Sequence, residues 1–146
     1  MSSFVYVSPG NDCRDALNEL MDNAQYSLDI CVFTISDNRL SQSIIDAHQR
    51  GVAVRIVTDN LKAEDRGSDV YQLAKEGVPL VIDNSPNHMH HKFMIVDGQR
   101  LANGSFNWTR SASERNQENV VVHDDPQLIS EFDRMFNALW TAFKKI

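Results

Sequence analysis

The 146-residue chain contains only two cysteines, four prolines and six glycines. Cys13 and Cys31 lack the spacing of a metal motif, so they predict neither a disulfide framework nor a zinc site, and they fit a reducing compartment. No apolar run comes near the roughly eighteen residues that a membrane-spanning helix needs, and the N-terminal segment has no basic stretch followed by a long apolar one. We therefore expect a cytoplasmic protein, unless a leader or an anchor precedes this segment.

Basic residues are scarce as well. Fourteen lysines and arginines face twenty aspartates and glutamates, which gives a net charge of −6 and a pI of about 5.2. Such a balance is unusual for a protein that binds nucleic acid, because cationic side chains supply most of that affinity. However, residues 86–115 carry four cations and three histidines against two carboxylates. This segment is locally positive, and the acidic residues lie mostly elsewhere.

The composition, with 42% apolar and 23% charged residues, predicts one globular domain over residues 1–146. Hydrophobic periodicity predicts strands at residues 4–7, 28–34, 52–57, 78–82, 93–96, 100–102 and 119–123, and helices at residues 12–23, 38–50, 70–75 and 126–143. This alternation indicates an α/β fold in which helices flank both faces of a mixed, largely parallel sheet. Residues 59–69 are polar and follow a strand end, which indicates either a solvated connection or a substrate-side loop.

The segment from His88 to Glu118 has the clearest chemical pattern. A buried strand at residues 93–96 ends at the turn dipeptide Asp97-Gly98. Because strand side chains alternate between faces, His90 and Lys92 project from the same face. Beyond the return strand, Ser105 and Asn107 offer a hydroxyl and an amide on one side. Imidazole, ammonium, hydroxyl and amide together suit a bound phosphoryl group, with three donors for its oxygens and one group that can attack or protonate.

These residues resemble the HKD motif of the phospholipase D superfamily. The pattern His90-x-Lys92-x4-Asp97-x6-Gly104-Ser105-x-Asn107 matches that motif at every defining position, and Glu118 stands where single-motif members carry a carboxylate. The sequence Gly-Ser-Phe-Asn-Trp-Thr at 104–109 is similar to that of small bacterial HKD endonucleases and of the Zucchini/mitochondrial phospholipase D group. The resemblance implies a metal-independent phosphodiesterase that needs no cofactor.

The resemblance also implies a role for each residue. His90 attacks phosphorus and forms a phosphohistidine, while Lys92 and Asn107 neutralise the phosphate oxygens. Glu118 accepts a hydrogen bond from Nδ1 of His90 and orients the ring. The implied catalytic set is His90, Lys92, Asp97, Ser105, Asn107 and Glu118, of which Lys92, Ser105 and Asn107 also bind the substrate. Asp97 is assigned an orienting and structural role near its turn.

The chain has one such motif and no internal repeat. In-line displacement at phosphorus needs a nucleophile on one side and an acid on the other, and one histidine cannot occupy both positions. A C2 homodimer with its axis near the scissile phosphate would supply the second His90. Two imidazoles with ordinary pKa values of about 6.5 would titrate as a coupled pair, which predicts a bell-shaped dependence of rate on pH.

Simpler interpretations compete at several positions. His88, His90 and His91 could chelate a metal, but the adjacent Lys92 and the lack of a second ligand cluster argue against it. His88 and His91 are therefore taken as non-catalytic. Trp108 is interpreted as a packing or dimer-contact residue rather than a stacking platform for bases. The apolar stripe of the C-terminal helix is interpreted as core or as a dimer face.

Three classes of function remain open. An endonuclease acting on single-stranded DNA or RNA is favoured over a phospholipase D-type hydrolase of a phospholipid such as cardiolipin. A lipid-active enzyme should expose apolar residues beside the site, and Met89 and Phe106 are the weak candidates. A non-catalytic binding module is disfavoured, because the motif is intact.

Overall fold

The computed structural model describes residues 2–146, which form one eight-stranded sheet and six helices. The strands are β1 (Ser3–Val7), β2 (Ser27–Val32), β3 (Ala53–Thr58), β4 (Leu80–Ile82), β5 (Lys92–Val96), β6 (Arg100–Gly104), β7 (Asn119–His123) and β8 (Lys144–Lys145). The helices are α1 (Asp12–Asp22), α2 (Asn38–Gln49), α3 (Asn60–Ala63), α4 (Val70–Lys75), α5 (Arg110–Glu114) and α6 (Pro126–Ala142). The short elements α3, α5 and β8 were not predicted, because they have too few residues to show a period.

The sheet is mixed, with the order β1-β7-β6-β5-β2-β3-β4-β8. The predicted parallel pairing of β2 with β3 across α2 is confirmed, and β3 pairs in parallel with β4. Every other pair in the described residues is antiparallel, so the expectation of a largely parallel sheet was wrong. The reason is visible at the β5–β6 connection, where a turn of three residues is far too short for a parallel crossover.

Helices cover both faces of the sheet, as predicted. On one face, α1 and α2 pack against β2 and β3 in a core that contains Leu17, Met21, Leu40, Ile44, Leu28, Ile30, Val54 and Ile56. On the other face, α6 places Ile129 and Phe136 against Cys31, Val57, Val81, Phe93 and Ile95. Residues of β2 alternate between the two cores, as the pleat requires. Ile129 and Phe136 of the α6 stripe are therefore core, the other stripe residues are partly buried against it, and a dimer face on α6 stays a prediction.

Asp29 interrupts the apolar run of β2, and the structure explains why this is tolerated. Its carboxylate lies in register with Arg55 of β3 and accepts two hydrogen bonds from that guanidinium, at 2.8 and 2.9 Å. The same guanidinium lies over the rings of Phe136 and Trp140 of α6. A charged pair can thus occupy a mostly buried strand position, because each partner has hydrogen bonds or an aromatic face to replace water.

Asp97 lies beyond the end of β5 opposite to Lys92, about 16 Å away at the usual rise of an extended chain. Asp97 and Gly98 both adopt positive φ, and Gln99 N–H donates to the Val96 carbonyl at 2.9 Å, which closes the turn. The Asp97 carboxylate accepts hydrogen bonds from three successive backbone N–H groups, those of Gln25, Tyr26 and Ser27. Its predicted structural role fits this position. Its inclusion in the catalytic set does not, because the turn lies at the wrong end of the strand.

We expect Asp97→Asn to lower the free energy of unfolding by about 2 kcal/mol, since it weakens charge-assisted bonds to the α1–β2 connection. Although burial raises the pKa of Asp97, the backbone donors outweigh it and lower the pKa below its usual value. A lowered folded-state pKa stabilises the protein above the unfolded pKa of about 3.9, and this stability is lost as pH falls through the folded value. Urea unfolding at pH 7 and pH 3 measures both effects.

Asp133→Asn is the matched control for this comparison, because Asp133 is exposed on α6. A difference between the two variants at pH 7 that persists undiminished at pH 3 would contradict the assignment of a charged carboxylate at Asp97.

Candidate active site

The motif residues converge at one end of the sheet. Lys92 begins β5, and antiparallel pairing sets it beside Val32 at the end of β2. The next residue of β5 pairs with Asn103 near the end of β6, and Gly104 pairs with Val120 at the start of β7. His90 precedes β5, whereas Ser105 and Asn107 follow β6. Strand order and register therefore bring the two halves of the motif together from positions about fifteen residues apart.

His90 and Lys92 form the closest contact of the site, with Nζ of Lys92 3.0 Å from Nδ1 of His90. The His90 ring lies against Phe33, with 4.4 Å between the ring centroids. An ammonium can only donate, so a neutral His90 in this arrangement accepts at Nδ1 and carries its proton on Nε2. This tautomer is a proton donor at Nε2. Attack through Nε2 needs the proton on Nδ1, and hence an acceptor beside Nδ1.

Glu118 was predicted to be that acceptor, and here its carboxylate has a different partner. Oε2 accepts from the Asn116 side-chain amide at 3.2 Å, and the Glu118 backbone N–H donates to Ser8 Oγ. The Lys92 ammonium, rather than the Glu118 carboxylate, contacts Nδ1 of His90. The carboxylate is nevertheless close enough to influence Lys92: burial lowers the pKa of that ammonium, and Glu118 partly offsets the decrease. The predicted hydrogen bond between His90 and Glu118 is therefore not formed in this structure.

The second half of the motif is held by backbone contacts. Ser105 Oγ accepts from the N–H of Asn119 at 3.1 Å, and Ser105 N–H donates to the Asn119 carbonyl. Gly104 has a φ of +156°, and a Cβ added there would lie 2.2 Å from the Asn119 carbonyl oxygen. Only glycine permits this approach. Oδ1 of Asn107 accepts from Thr34 N–H at 3.3 Å, which leaves the amide NH₂ as a donor for a ligand.

The aromatic residue that follows Asn107 is structural. Trp108 is 2% exposed, as its interpretation as a packing residue predicts. Its backbone donates to the Thr34 carbonyl and accepts from the N–H groups of Ser36 and Asp37, so it ties the segment after β6 to the segment after β2. Met89 and Phe106 are also buried, so neither of the apolar candidates from the sequence lies exposed beside the site.

Four residues that the motif does not include also border the site: Phe33, Asp59, Lys62 and His88. Asp59 is fully buried and accepts from Met89 N–H at 2.9 Å, while its other oxygen caps α3. Nδ1 of His88 lies 3.6 Å from the Asp59 carboxylate. The Lys62 ammonium lies 5.5 Å from the Phe33 ring centroid. Part of the polar stretch at 59–69 thus forms α3, which borders the site. In the sequence, only the position of Asp59 directly after a strand indicated that this stretch lies near the site.

The site brings several basic side chains together. Burial lowers the pKa of His90, and the neighbouring charges of Lys92 and His88 lower it further against a smaller opposing effect of Asp59. Burial, Lys92 and His90 likewise lower the pKa of His91. Cationic groups that depress one another's protonation favour an anionic ligand. Among residues 2–146, no cluster of three or more histidine, cysteine, aspartate or glutamate side chains is placed to hold a metal ion.

A shallow cleft of about 410 Å³ opens beside His90 on the side of α6. Its apolar walls come from Met89 and from Leu139 and Phe143 near the C-terminal end of α6. His88 and His91 also border it. The His90 imidazole thus lies between the Lys92 ammonium and an apolar cleft.

Comparisons with known proteins agree with this geometry. The family model described as "Cardiolipin synthase, PLD-like domain" matches residues 17–140. Proteins named mitochondrial cardiolipin hydrolase are similar: that of Chlamydomonas reinhardtii is 46% identical over 126 residues, covering 86% of this chain and 56% of the relative. The human protein is 41% identical over 120 residues, covering 82% and 48%. The chain therefore spans about half the length of these relatives.

Two solved structures share the fold. Nuc from Salmonella typhimurium, described as a phospholipase D family member, superposes with a TM-score of 0.92 at 30% identity, covering 99% of this chain and 97% of Nuc. NucT from Helicobacter pylori superposes with a TM-score of 0.89 at 21% identity, covering 99% of each chain. None of the helices formed by residues 2–146 combines the length and the apolar character that crossing a membrane requires.

We expect Lys92→Met to raise the pKa of His90, because it removes a positive charge 3.0 Å from Nδ1. The rise should be partial, since burial is the larger cause of the depression. A titration of the His90 ring resonances by NMR measures it, with Lys75→Met as a control for the loss of a lysine on α4. An unchanged or lower pKa of His90 in Lys92→Met would contradict the contact.

Proposed function

The chain belongs to the phospholipase D superfamily, and from this premise we propose that it hydrolyses phosphodiesters through a covalent phosphohistidine at His90. The hydrolytic activity, the covalent intermediate and the residue roles are all part of this proposal, which the relatives named mitochondrial cardiolipin hydrolase support. The observation that supports it is the convergence of His90, Lys92 and the Asn107 amide at one end of the sheet. These groups offer one nucleophile and several donors to a single phosphate.

The proposed first step is attack of the His90 Nε2 lone pair on phosphorus. The bond to the leaving oxygen breaks, and an acid on the opposite side protonates that oxygen. In the second step the same acid, now a base, takes a proton from water; the water oxygen attacks phosphorus, and the P–N bond breaks to regenerate His90. Lys92 and Asn107 stabilise the negative charge on the non-bridging oxygens in both steps.

Because Lys92 contacts Nδ1 of His90, we propose that substrate binding activates His90 as the nucleophile. A phosphate competes for the Lys92 ammonium, because a charge-assisted bond to an anion is stronger than one to a neutral ring. Once Lys92 turns to the phosphate, Nδ1 of His90 needs another partner. The Glu118 carboxylate, whose charge raises the pKa of Lys92 against the effect of burial, is our candidate. It would accept from Nδ1–H and leave the Nε2 lone pair ready to attack.

One chain holds one copy of these groups, and we propose that the acid is His90 of a second copy in a C2 homodimer. Two-fold symmetry about the scissile phosphate would place the two imidazoles on opposite sides of it, together with two Lys92 and two Asn107. In this arrangement one imidazole must be neutral and the other protonated. The bell-shaped pH profile predicted from the sequence follows from that requirement and stays a prediction.

We propose a phospholipid diester of the cardiolipin class as the leading substrate. The relatives named mitochondrial cardiolipin hydrolase support it, and so does the apolar cleft that Leu139 and Phe143 form beside His90. Leu139 and Phe143, together with Met89 in the wall of the cleft, would contact the apolar part of a lipid, whereas Phe106 does not line the cleft. The relatives' names also point to mitochondria, so the cytoplasmic location expected from the sequence stays a prediction.

Single-stranded nucleic acid is the second candidate. The segment 104–109 resembles that of small bacterial HKD endonucleases, and Lys62 and His88 extend the positive surface beyond the motif. Polyanions are attracted mainly through such surfaces. The reacting diester is the same in both candidates, so the choice rests on what the surroundings of the site bind.

We expect His90→Asn to abolish turnover of cardiolipin and of single-stranded oligonucleotides, because it removes the nucleophile and the acid together. The wild-type protein should keep its rate in EDTA. His48→Asn is the matched control, since His48 lies in the last turn of α2 and borders neither the motif residues nor the cleft. Measurable turnover by His90→Asn would contradict the proposal, and loss of wild-type turnover in EDTA would indicate a metal-dependent reaction.

The homodimer predicts a quadratic dependence of activity on the fraction of wild-type subunits. If wild type and His90→Asn are mixed and allowed to exchange subunits, only dimers with two intact subunits have both nucleophile and acid. The activity per wild-type subunit should therefore fall in proportion to the wild-type fraction. Light scattering gives the mass of the species assayed. Constant activity per wild-type subunit, or an active species of monomer mass, would contradict the shared site.

A further inference from the structure

Two basic side chains beside the site, Lys62 and His88, have no role in the mechanism proposed above. Lys62 and Lys92 lie on the Phe33 ring, with their ammoniums 5.5 and 5.6 Å from its centroid. The rings of His88 and His90 lie against it too, with centroids 5.2 and 4.4 Å away. Four basic side chains thus lie against Phe33, and only two of them, His90 and Lys92, belong to the motif. Lys62 and His88 come from α3 and from the segment before β5.

The structure holds both extra groups in place. The buried Asp59 carboxylate caps the first turn of α3, where Lys62 lies, and the same carboxylate lies 3.6 Å from the His88 ring. One buried anion therefore positions two cations from different parts of the chain. Lys62 also pairs with Asp65 at 3.2 Å, but both side chains are at least one-third exposed, so this pair is weak and a ligand can displace it.

The scissile phosphate has little need of Lys62 and His88 as further hydrogen-bond donors. A phosphodiester has two non-bridging oxygens, and in the proposed dimer two Lys92 ammoniums and two Asn107 amides already supply donors to them. Further donors to the same oxygens would stabilise the bound phosphate only slightly more. Converging cations repel one another, however, and are stabilised when an anion lies between them. The two ammoniums and two imidazoles that lie around Phe33 therefore suit a second anionic group.

We propose that Lys62 and His88 form a second phosphate subsite, next to the phosphate that His90 attacks. This inference rests on the proposed function and deepens it: the preferred substrates carry two phosphates separated by a short linker. Two sources offer that chemistry. Cardiolipin has two phosphates joined by a glycerol, and an oligonucleotide has successive backbone phosphates. In either case the subsite binds the phosphate that is not cleaved.

Matched substrates that differ by one phosphate test this proposal. The oligonucleotide pair is the thymidine dinucleotide TpT and the same molecule with an added 3′ phosphate; the lipid pair is phosphatidylglycerol and cardiolipin in identical mixed micelles. The steady-state kcat and KM of each substrate are measured for the full chain, for Lys62→Met, for His88→Leu and for Lys75→Met. Lys75, on α4, is the control for loss of a lysine charge. Thermal unfolding verifies that each variant is folded.

For Lys62→Met and His88→Leu we expect KM for the two-phosphate substrate, divided by KM for its one-phosphate partner, to rise about tenfold over wild type, as for one lost charge-assisted contact. Lys75→Met should leave this ratio unchanged. A rise in the lipid pair identifies a lipid phosphate as the ligand, and a rise in the nucleotide pair identifies a nucleic-acid phosphate. For a longer single strand, the slope of log KM against log salt should also decrease by about 0.7 per lost contact.

Two results would overturn the subsite. The first is that Lys62→Met and His88→Leu leave the KM ratio at its wild-type value in both substrate pairs. The second is an equal rise in KM for both members of a pair, or a loss of kcat on the one-phosphate substrates, which would place Lys62 and His88 on the scissile phosphate. In both cases wild-type turnover remains, so the proposed function stands. If wild type cleaves none of the four substrates, the proposed function fails and the subsite fails with it.

Discussion

The site depends on the antiparallel register of β5 between β2 and β6. Lys92 pairs with Val32, and Phe93 pairs with Asn103; these two pairings decide which motif groups meet. A slip of one residue would turn His90 and Lys92 to the face covered by α6 and bring Phe93 out of its core. The Asp97 carboxylate, at the far end of β5, binds three N–H groups before and at the start of β2. A residue of the motif that is remote from the chemistry thus helps to fix the register on which the chemistry depends.

A chain with a net charge of −6 builds a positive site by positioning its cations. Lys92, Lys62, His88 and His90 lie around Phe33, and within residues 2–146 the buried carboxylate that contacts this group is that of Asp59. That carboxylate is already engaged by the N–H groups of Met89, Leu61 and Lys62, so it anchors the cations without presenting a free anion to the ligand. Local field, not net charge, governs what binds here. The acidic pI is therefore no argument against a phosphate substrate.

The sequence predicts the parts of this arrangement that depend on local patterns. The helix at 70–75, the strand at 93–96 and the alternation that sets His90 beside Lys92 follow from periodicity and turn residues, because these reflect neighbouring positions in the chain. The contribution of Asp59 does not follow, because it acts on Met89 across thirty residues. The partner of His90 was also missed: Glu118 has the spacing of the motif, but spacing does not reveal that Lys92 lies closer to Nδ1. The expectation of a largely parallel sheet was wrong, since it extended the one β-α-β unit to strands that connect through turns.

The surroundings of His90 are asymmetric, and this asymmetry bears on the choice of substrate. Lys62 lies by the Phe33 ring, the cleft walled by Leu139 and Phe143 opens beside His90, and His88 borders both. A ligand that filled both would be anionic at one end and apolar at the other. A phospholipid is anionic at one end and apolar at the other, because its phosphates adjoin its acyl chains. A nucleic acid could match it only if a base entered the cleft, at the cost of unstacking from its neighbours. Of the two candidates, the amphipathic substrate uses both surfaces without rearrangement.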